Sequence, residues 1–442
     1  MTDPEPASTD VVIMGAGAAG LTAARALAKT GLSVELLEAR DRVGGRILTV
    51  PGAGGHPLEL GAEFVHGEPP VTLALVREAG ASLVAVQTSH WHLRDGALAP
   101  ADDVLAAAQR LMRQAQSAGE DLSVNAFLAR LAGDASLGRA VEWARMIVEG
   151  FDAADPARAS LKAITGEWTG SAGVRASQSR PAGGYGRLIG HLATVITEGG
   201  VRLRLDTAVQ AVSWGPDEVM VEALTRGSPY RVRARRAVVT LPLALLQVAG
   251  EPGAVRFTPP LEAKRNALDH LVMGAVLKVV FRFREAFWET VAGGRYRDAG
   301  FFHLTGHDVP TFWTALPERL PILTAWTGGP RAARLSALDD AAIVQAALTG
   351  VEALFGGIAV SDLLVEAHTH NWQQDPFARG AYSYVTVGGL GAPAVLAAPL
   401  GDTLFFAGEA AAEAGESGTV AGALASGEAA ARAVLTSLER RP

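Results

Sequence analysis

The chain opens with a pattern in which a short apolar run is followed by small residues and then by a helix-forming segment. Residues 11–14 are consecutive Val, Ile and Met, as in a strand buried on both faces of a parallel sheet. Glycine and alanine occupy 15–20, and residues 21–29 continue with Leu, Ala, Arg and Lys. Residues 33–37 predict a second strand. This order of strand, glycine-rich turn, helix and strand predicts the first unit of an α/β fold.

The rest of the chain alternates between helical and strand-like segments. Residues 76–180 carry Ala and Leu at helical spacing, for example at 101–118 and 123–150, with no clear strand. Segments that predict strands follow at 201–205, 208–214, 218–224, 230–239, 274–284 and 322–327. Helices are expected at 187–199 and near 338–355, and a disordered polar tail at 1–10. The alternation predicts two intertwined domains.

The glycines after the first strand predict a binding site. Gly15 allows a tight turn, Gly17 lets the backbone approach a pyrophosphate, and Gly20 lets the helix lie close to the sheet. The phosphates would meet the free N–H groups and the positive dipole end of the helix. Glu38 ends the second strand, where a carboxylate accepts hydrogen bonds from a ribose. A glycine-rich turn alone is weak evidence, but these elements in this order predict dinucleotide binding.

The residues after Glu38 indicate which dinucleotide binds. Residues 42–46, Arg-Val-Gly-Gly-Arg, combine glycines that permit close backbone approach with arginines that neutralise a diphosphate. Together with Glu38 and Arg40, this run resembles the E-x-R-x-R-x-G-G-R pattern of the FAD-dependent amine oxidase family. That family includes monoamine oxidases, polyamine and spermine oxidases, and lysine-specific histone demethylases. The resemblance implies FAD, with Glu38 on the adenosine ribose and the Gly-Gly-Arg segment along the pyrophosphate.

A second match to the same family lies near the C-terminus. Residues 403–409 form an apolar run that ends in Gly-Glu, and residues 418–427 begin a helix of small residues. They resemble the family's F-A-G-E and G-T-V-x-G-A-x-x-S-G patterns, which implies Glu409 at the ribityl chain and Thr419 and Val420 at the flavin ring. A helix start there would stabilise negative charge on the reduced flavin. The residues expected at the cofactor are Gly15, Gly17, Ala19, Gly20, Glu38, Ala39, Arg40, Gly44, Gly45, Arg46, Gly61, Ala62, Glu63, Val209, Trp372, Gly408, Glu409, Thr419 and Val420.

Lys278 is the residue for which the sequence most favours a chemical role. It lies in the alternating strand 274–284, and lysine accounts for only four of the 39 basic residues. A lysine here therefore indicates a need for a compact ammonium group, or for one that can lose its proton when buried. In the family, the lysine of this strand holds a water against flavin N5, which the resemblance implies for Lys278. The alternative is a solvated strand face shared with Arg282 and Arg284.

Residues 58–67 resemble the polyamine-oxidase form of a segment that passes the isoalloxazine ring. Gly61 and Ala62 would allow close approach to the cofactor, while the role of Glu63 is left open. His66 would accept a hydrogen bond from a substrate amine or act near its own titration pH, and a structural role is the alternative. L-amino-acid oxidases use an arginine in this segment to bind the substrate carboxylate. No arginine occurs between 46 and 77 here, which favours an amine without a carboxylate.

Residues 371–384 resemble the family's W-x-x-x-P-x-x-x-G-x-Y segment. Trp372 would flank the flavin, and Tyr382 would form one wall of an aromatic cage that orients the amine. Ala381 stands where monoamine oxidases carry the cysteine that bonds to the flavin. Because the chain has no cysteine, FAD is expected to bind non-covalently. The second cage tyrosine corresponds to Thr419, so the cage is one-sided, which favours polyamine or secondary-amine substrates.

Composition agrees with a large enzyme that binds neither nucleic acid nor membranes. The 442 residues exceed one typical core, and 49% of them are hydrophobic. The net charge of −7 disfavours nucleic acid as a partner. Without cysteine the chain can form neither disulfides nor cysteine-ligated metal sites, and no metal is expected. No signal peptide or hydrophobic anchor is visible, so a cytoplasmic location is expected. The expected assembly is a monomer or a homodimer.

The combined prediction is an α/β fold in which a Rossmann-type (GR2-like) FAD-binding domain is interleaved with an α+β substrate-binding domain. Residues 11–75, 181–255 and 371–442 are assigned to the first domain, and residues 76–180 and 256–370 to the second. The resemblance implies that the substrate C–H next to nitrogen gives a hydride to FAD. The resulting imine hydrolyses to an aldehyde or ketone, and dioxygen is reduced to hydrogen peroxide.

Lys278, Tyr382 and His66 are the expected catalytic residues, and other functions stay open. A protoporphyrinogen-oxidase-like enzyme or a carotenoid-type desaturase needs a wide apolar tunnel and has less use for Lys278 or Tyr382. An L-amino-acid oxidase and a flavin-binding protein without turnover are further alternatives. The histone-demethylase branch is disfavoured, because the chain lacks room for the additional helical modules of those enzymes.

Overall fold

Two large β-sheets dominate the computed structural model, which describes residues 5–52, 54–87, 89–115, 119–170, 173 and 176–439. The strands, in chain order, are β1 (Ala7–Met14), β2 (Val34–Leu37), β3 (Thr49–Pro51), β4 (Pro57–Glu59), β5 (Val65–His66), β6 (Leu83–Ala85), β7 (His90–Arg94), β8 (Ala97–Pro100), β9 (Gln178–Pro181), β10 (Arg202–Arg204), β11 (Thr207–Gly215), β12 (Glu218–Thr225), β13 (Ser228–Val239), β14 (Arg256–Thr258), β15 (Leu271–Gly274), β16 (Val276–Phe283), β17 (Phe301–His303), β18 (Thr311–Thr314), β19 (Ile322–Gly328), β20 (Leu364–Thr369), β21 (Tyr382–Val385) and β22 (Leu404–Phe406).

Helices connect and cover these sheets. In chain order they are α1 (Ala18–Ala28), α2 (Pro70–Glu78), α3 (Asp102–Ala115), α4 (Val124–Ala129), α5 (Gly138–Gly150), α6 (Leu161–Thr169), α7 (Tyr185–Glu198), α8 (Leu243–Gln247), α9 (Arg265–His270), α10 (Val291–Gly294), α11 (Gly329–Leu335), α12 (Asp340–Leu354), α13 (Val360–Leu363), α14 (Ala392–Ala397) and α15 (Val420–Glu439). None of the helices in the described part of the chain has the length and apolarity that crossing a bilayer requires.

The first sheet has the strand order β10-β2-β1-β13-β12-β11-β14, and β22 pairs with β13. Strands β10, β2, β1, β13 and β22 run parallel to one another. Residues 11–14 are fully buried at its centre, as the unbroken apolar run predicts, because helices α1, α7 and α15 cover one face. The carboxyl ends of parallel strands meet at one edge, so the turns after β1, β2 and β22 come together although they are far apart in sequence.

The second sheet has the order β20-β16-β19-β18-β17-β7-β8, and β16 lies antiparallel between β19 and β20. Side chains alternate along β16, since successive residues of a strand point to opposite faces. Leu277, Val279 and Phe281 pack into an apolar core beside α12. Lys278 lies on the opposite face, together with Val280, which packs against the segment at 58–60. The pleat therefore directs Lys278 away from that core and toward the segment after β4.

The structure corrects two expectations at the level of secondary structure. Residues 7–10 belong to β1 and pair with β13, so they are not a disordered tail; residues 1–4 lie outside the described residues. Residues 76–180 include strands β6, β7, β8 and β9 beside their helices. These strands are short and pair with distant segments, for example β7 with β17, so local periodicity does not reveal them. Residues 116–118 of the predicted helix 101–118 lie outside the described residues.

Most of the other predicted strands and helices occur close to their expected positions. The helical segment 123–150 is two helices, α4 and α5, and the predicted strand 274–284 is divided, because Gly274 belongs to β15 and β16 begins at Val276. Strand β14 lies just beyond the domain boundary expected at residue 255, yet it pairs with β11 in the first sheet. The interleaved domain division stays a prediction.

Candidate active site

One cavity of about 840 Å³ runs between the carboxyl edge of the first sheet and the second sheet. Its lining contains every residue expected at the cofactor or in catalysis except Gly20. Residues from both ends of the chain therefore meet in one place. The volume falls in the range of ordinary ligand pockets, which span roughly 300–1,000 Å³.

The turn after β1 forms the floor of this cavity. Gly15 adopts a φ of +103°, and a side chain there would lie 2.9 Å from Thr240 Oγ1, so only glycine suits the position. A Cβ on Gly17 would meet no atom within 4 Å, since this residue opens onto the cavity. A Cβ on Gly20 would come within 1.9 Å of the Gly15 carbonyl oxygen, so Gly20 permits packing of α1 on the turn. No side chain caps the first turn of α1.

Glu38 closes one end of the cavity at the end of β2. Its Oε2 accepts a hydrogen bond of 2.8 Å from the Ala16 backbone N–H, and its Oε1 accepts one of 3.0 Å from the Arg40 N–H. Arg40 donates in turn to Asp375 Oδ1 at 2.6 Å. Burial would raise the pKa of Asp375, but hydrogen bonds from His370 and Arg40 outweigh it and hold the pKa below its ordinary value. Arg40 is thus paired with a carboxylate rather than free in a solvated loop.

The Gly-Gly segment lies directly along the first turn. The Gly44 N–H donates to the Ala16 carbonyl at 2.8 Å, and a Cβ on Gly45 would be 3.4 Å from the Gly17 Cα. Arg42 differs from expectation, because its guanidinium donates to backbone carbonyls of this same segment, at 3.0 Å to Gly45. Arg42 holds the loop and does not line the cavity, so of the two arginines expected at the diphosphate only Arg46 lines it.

Arg46 is held by residues from the C-terminal third of the chain. Its Nη1 donates to Glu409 Oε1 at 2.8 Å and to the Ala381 carbonyl at 2.6 Å. Glu409 Oε2 accepts from both the N–H and the hydroxyl of Ser383, at 3.1 and 2.7 Å. The carboxylate expected at the ribityl chain is thus paired with a cation. Ser383 has no distinctive signal in the sequence.

Lys278 and Glu63 form a buried ion pair in the cavity wall. Lys278 is only 1% exposed, and its Nζ lies 2.6 Å from Glu63 Oε2 and 3.2 Å from the Gly61 carbonyl. The solvated-face alternative for Lys278 is therefore wrong. Glu63 Oε1 also accepts from Arg180 Nε at 2.7 Å and from Trp313 Nε1 at 3.0 Å. Burial would raise the pKa of Glu63, but the charges and hydrogen bonds of Lys278 and Arg180 outweigh it and lower the pKa to about 2.

Gly61 and His66 differ in part from what the sequence predicts. A Cβ on Gly61 would lie 1.9 Å from the Arg46 carbonyl oxygen. The absence of a side chain at Gly61 therefore allows the backbone of Arg46 to pack closely, in addition to any approach of the cofactor. His66 is paired in the short strand β5 and lines the cavity, with its ring edge-on to Phe151 at 5.5 Å. Burial lowers the pKa of His66 to about 4, so it is neutral at pH 7 and does not titrate near neutrality. Its Nδ1 is buried without a hydrogen-bond partner.

Tyr382 and Trp372 stand in the wall with their polar atoms bonded to backbone. The Tyr382 hydroxyl donates to the Phe151 carbonyl at 2.8 Å, and Trp372 Nε1 donates to the Leu60 carbonyl at 3.0 Å. Both rings are thereby fixed in orientation. Burial, and secondarily the charges of nearby carboxyl groups, raises the pKa of Tyr382, so its hydroxyl stays protonated. Other Phe and Trp side chains that line the cavity are Phe64, Phe151, Phe301, Trp313, Trp326 and Phe377.

Asp152 and Glu167 are cavity residues that the sequence analysis missed. Asp152 is 5% exposed, and its Oδ2 accepts from Trp168 Nε1 at 2.9 Å. Burial raises the pKa of both carboxyl groups, and repulsion from Asp152 and Glu409 raises that of Glu167 further. Among the residues that the structure describes, none forms a salt bridge with either group. Neither Asp152 nor Glu167 lies in a recognised motif, so the sequence offers no signal that identifies them as cavity residues.

Helix α15 starts at the cavity. Thr419 precedes it, and its hydroxyl accepts from the Gly422 N–H at 2.9 Å while donating to the Glu416 carbonyl at 2.7 Å. Val420 is its first residue, and the helix is 20 residues long. Its N-terminal end therefore places a partial positive charge at the cavity wall.

These features fit a flavin dinucleotide. Gly17 and Gly408 both open onto free space where a Cβ would meet nothing within 4 Å. The starts of α1 and α15 supply two positive dipole ends, and Glu38 supplies acceptors for a ribose. Within the described residues, no group of three or more His, Asp or Glu side chains is arranged to hold a metal ion. The donors present are thus of the kind that bind phosphates and hydroxyl groups.

Comparison with known proteins agrees with this fit. A model of the family described as flavin containing amine oxidoreductase matches residues 18–435. Human (Homo sapiens) lysine-specific histone demethylase 2 is 29% identical over 439 residues, which cover 90% of this chain and 50% of that protein. Polyamine oxidase 3 of Oryza sativa subsp. japonica is 27% identical over 460 residues, covering 94% of this chain and 87% of that protein. The chain spans about half the length of the first of these relatives.

Solved structures show the same fold. Wild-type putrescine oxidase bound to putrescine matches with a TM-score of 0.81 and 22% identity, over 98% of this chain and 100% of that chain. Cyclohexylamine oxidase from Brevibacterium oxydans IH-35A matches with a TM-score of 0.79 and 24% identity, over the same shares of both chains. The predicted α/β fold with a Rossmann-type FAD-binding unit and a substrate-binding unit is confirmed. The family match covers most of the chain, so this protein belongs to the flavin-containing amine oxidoreductase family, and its cofactor is FAD.

Proposed function

We propose that this chain is an oxidase that converts an amine to an imine, which water hydrolyses to an aldehyde or ketone. The observation that carries the proposal is the cavity of about 840 Å³ in which Lys278, Tyr382 and His66 lie beside the two segments expected to bind the nucleotide. When bound, FAD would supply the acceptor for the hydride of the C–H bond next to nitrogen, and its reoxidation by dioxygen would release hydrogen peroxide. FAD would be held by Glu38, Gly17, Gly44, Arg46 and Glu409, without a covalent bond, since the chain has no cysteine for a thioether.

The protein's own contribution is to hold a neutral amine in a dry, oriented position. Aromatic walls exclude water and lower the local dielectric, which favours the neutral form of an amine. The neutral His66 ring offers its unpartnered Nδ1 as an acceptor for an amine N–H. The Tyr382 ring, fixed by its bond to the Phe151 carbonyl, orients the substrate beside it. Lys278 places an ammonium proton at the cavity wall, where it can hold a water molecule.

The carboxyl pair favours a substrate with a second amino group. An ammonium group at the far end of a diamine or polyamine would find Asp152 and Glu167 in the same cavity as the catalytic residues. Burial raises the pKa values of both carboxyl groups. A bound cation would lower these pKa values again and so favour the ionised form. Polyamine oxidase and putrescine oxidase are among the proteins that the chain resembles, which supports the same class. The cytoplasm as compartment and a monomer or homodimer as assembly are part of this proposal.

Hydrogen peroxide release from a panel of amines tests the function. The purified holoenzyme is incubated with monoamines, diamines, polyamines and L-amino acids, and peroxide is measured with a coupled peroxidase assay. We expect release with diamines or polyamines and none with L-amino acids, since the segment at 58–67 has no arginine to bind a carboxylate. Release only with L-amino acids, or none with any amine while FAD is bound, would overturn the proposal.

A further inference from the structure

In the ion pair of Lys278, the Glu63 carboxylate accepts hydrogen bonds from three side-chain donors. Oε2 of Glu63 faces Lys278 at 2.6 Å, while Oε1 accepts from Arg180 at 2.7 Å and from Trp313 at 3.0 Å. Arg180 is itself fixed, because its two terminal nitrogens donate to the backbone carbonyls of Leu316 and Thr314 at 3.0 and 3.1 Å. The position of the Glu63 carboxylate is therefore set from several sides.

We propose that Glu63 is a positioning residue that keeps the Lys278 side chain charged and directed into the cavity. The inference rests on the proposed function, in which Lys278 serves the reaction. A buried ammonium group is costly without a partner, and at 1% exposure Lys278 has almost no solvent. Glu63 and the Gly61 carbonyl accept two of its three protons. The third proton is left for the cavity, which Lys278 also lines.

The charges around Lys278 support this assignment. One carboxylate, Glu63, lies between two cations, Lys278 and Arg180, so the group carries a net positive charge. Glu59 is the other acidic residue close to Lys278; burial raises its pKa to about 7, so it adds only part of a negative charge at neutral pH. Arg180 therefore takes up part of the Glu63 charge. The charge of Lys278 stays available to the cavity rather than being fully neutralised.

A purely structural ion pair would hold β16 against the segment after β4 without affecting the chemistry. The two roles predict different results when only the charge of Glu63 is removed. Glu63→Gln keeps the size of the side chain and an acceptor for Arg180 and Trp313, but leaves the ammonium group without an anion. A positioning role then predicts that Lys278 loses its proton more easily. A structural role predicts a change in stability alone.

Lysine labelled with ¹³C at Cε gives a direct measurement, since the chain has only four lysines and Lys278→Met assigns the signal. In the FAD-bound protein, we expect the pH at which the Lys278 signal shifts to fall by roughly one to three units in Glu63→Gln. Glu63→Asp, which restores the anion, should return it toward the wild-type value. Glu366→Gln is the matched control, because it neutralises the partner of Arg282 on the same strand, at 2.7 Å, away from Lys278.

Stopped-flow absorbance of the same proteins gives the second measurement. We expect Glu63→Gln to slow flavin reduction or reoxidation about tenfold or more at saturating amine, with a smaller change in KM and a pH profile that shifts with the lysine signal. A lysine signal unchanged from wild type, or rates lowered only in proportion to lost FAD, would overturn the proposal. Should Glu63→Gln fail to fold, Trp313→Phe removes a single donor from Glu63 and tests the same relationship. If wild-type protein oxidises no amine, the proposed function fails, while the lysine signal still tests Glu63.

Discussion

Arg46 and Glu409 lie 363 positions apart in the chain and form an ion pair of 2.8 Å between Nη1 and Oε1. Arg46 follows the Gly-Gly segment near the N-terminus, and Glu409 follows β22 near the C-terminus. Ser383 donates twice to the other oxygen of Glu409, so three distant segments meet at one carboxylate. This contact joins the two segments that are proposed to bind the flavin.

Glu409→Gln should weaken FAD binding without unfolding the protein. The substitution leaves Arg46 without its anion and weakens charge-assisted hydrogen bonds, each worth roughly 1.5–3 kcal/mol. We therefore expect the Kd of FAD, measured by fluorescence quenching on apoprotein, to rise about ten- to a hundredfold. Glu251→Gln is the control, because it breaks a pair of similar length with Arg379 on a more exposed surface. Equal effects of the two substitutions would contradict a role at the cofactor.

Gly17→Ala should affect FAD binding alone. Gly17 has an ordinary φ of −76°, and an added Cβ meets no protein atom within 4 Å, so the apoprotein should keep its stability within about 0.5 kcal/mol. The methyl group would instead occupy the space of the pyrophosphate, and we expect FAD affinity to fall about tenfold or more. Gly190→Ala in α7, which also meets open space, is the control. Thermal unfolding of apoprotein and FAD titration together decide the question; unchanged FAD affinity would show that nothing binds against Gly17.

Lys278→Met should leave FAD bound but slow the oxidation cycle about tenfold or more. The substitution removes the only lysine that lines the described cavity and leaves Glu63 with Arg180 and Trp313. Stopped-flow absorbance separates reduction from reoxidation, and Lys29→Met at an exposed position is the control. Turnover equal to that of wild type would exclude a catalytic role for Lys278.

Because Asp152 and Glu167 have raised pKa values, we expect diamines to bind more tightly as the pH rises. Burial raises the pKa of Asp152 to about 8, so this carboxyl gains its charge only in alkaline solution. A distant ammonium group should then be bound more strongly above that pH than at neutrality. The ratio of KM values for a monoamine and a diamine of equal chain length, measured across this range, should rise with pH. In Asp152→Asn the ratio should be lower and nearly constant; an unaltered ratio would remove Asp152 from substrate binding.

The raised pKa of Asp152 also predicts the direction in which the stability of the fold changes with pH. Asp152 binds its proton more tightly in the folded state, with a pKa of about 8, than in the unfolded chain, where the ordinary value is 3.8. The proton therefore stabilises the fold at low pH, and this stabilisation is lost progressively as the pH rises from about 4 to about 8. Melting temperatures of apoprotein should fall over this window more steeply in wild type than in Asp152→Asn. Parallel curves would show that Asp152 does not keep its proton in the fold.

Much of the nucleotide-binding unit was predictable because its signals are local. Residues 11–14 must be buried when four apolar side chains follow one another, and Gly15 must be glycine in a turn with positive φ. The short strands β6 to β9 were not predictable in this way. They are formed by pairing with partners far along the chain, and a few residues carry too little periodicity to compete with the surrounding helical pattern.

In the candidate site, too, local signals were predictable from the sequence and long-range contacts were not. The types of residue at Glu38, Lys278, Tyr382 and Glu409 could be recognised from their motifs, but their partners could not. Glu63 had no clear role in the sequence, yet it proves to be the carboxylate that Lys278 contacts. Asp152 and Glu167 lie in no motif and become notable only because folding brings both into one cavity.

The sequence by itself determined the elements that bind the nucleotide, because local composition sets strands, turns and helix starts. Its motifs determined the family and the cofactor through their resemblance to those of known amine oxidases. The tertiary structure alone decided which charges are paired and which carboxyl groups retain protons. Both depend on distances between residues hundreds of positions apart and on the loss of water around them. Neither these distances nor the loss of water can be predicted from a local segment of the sequence.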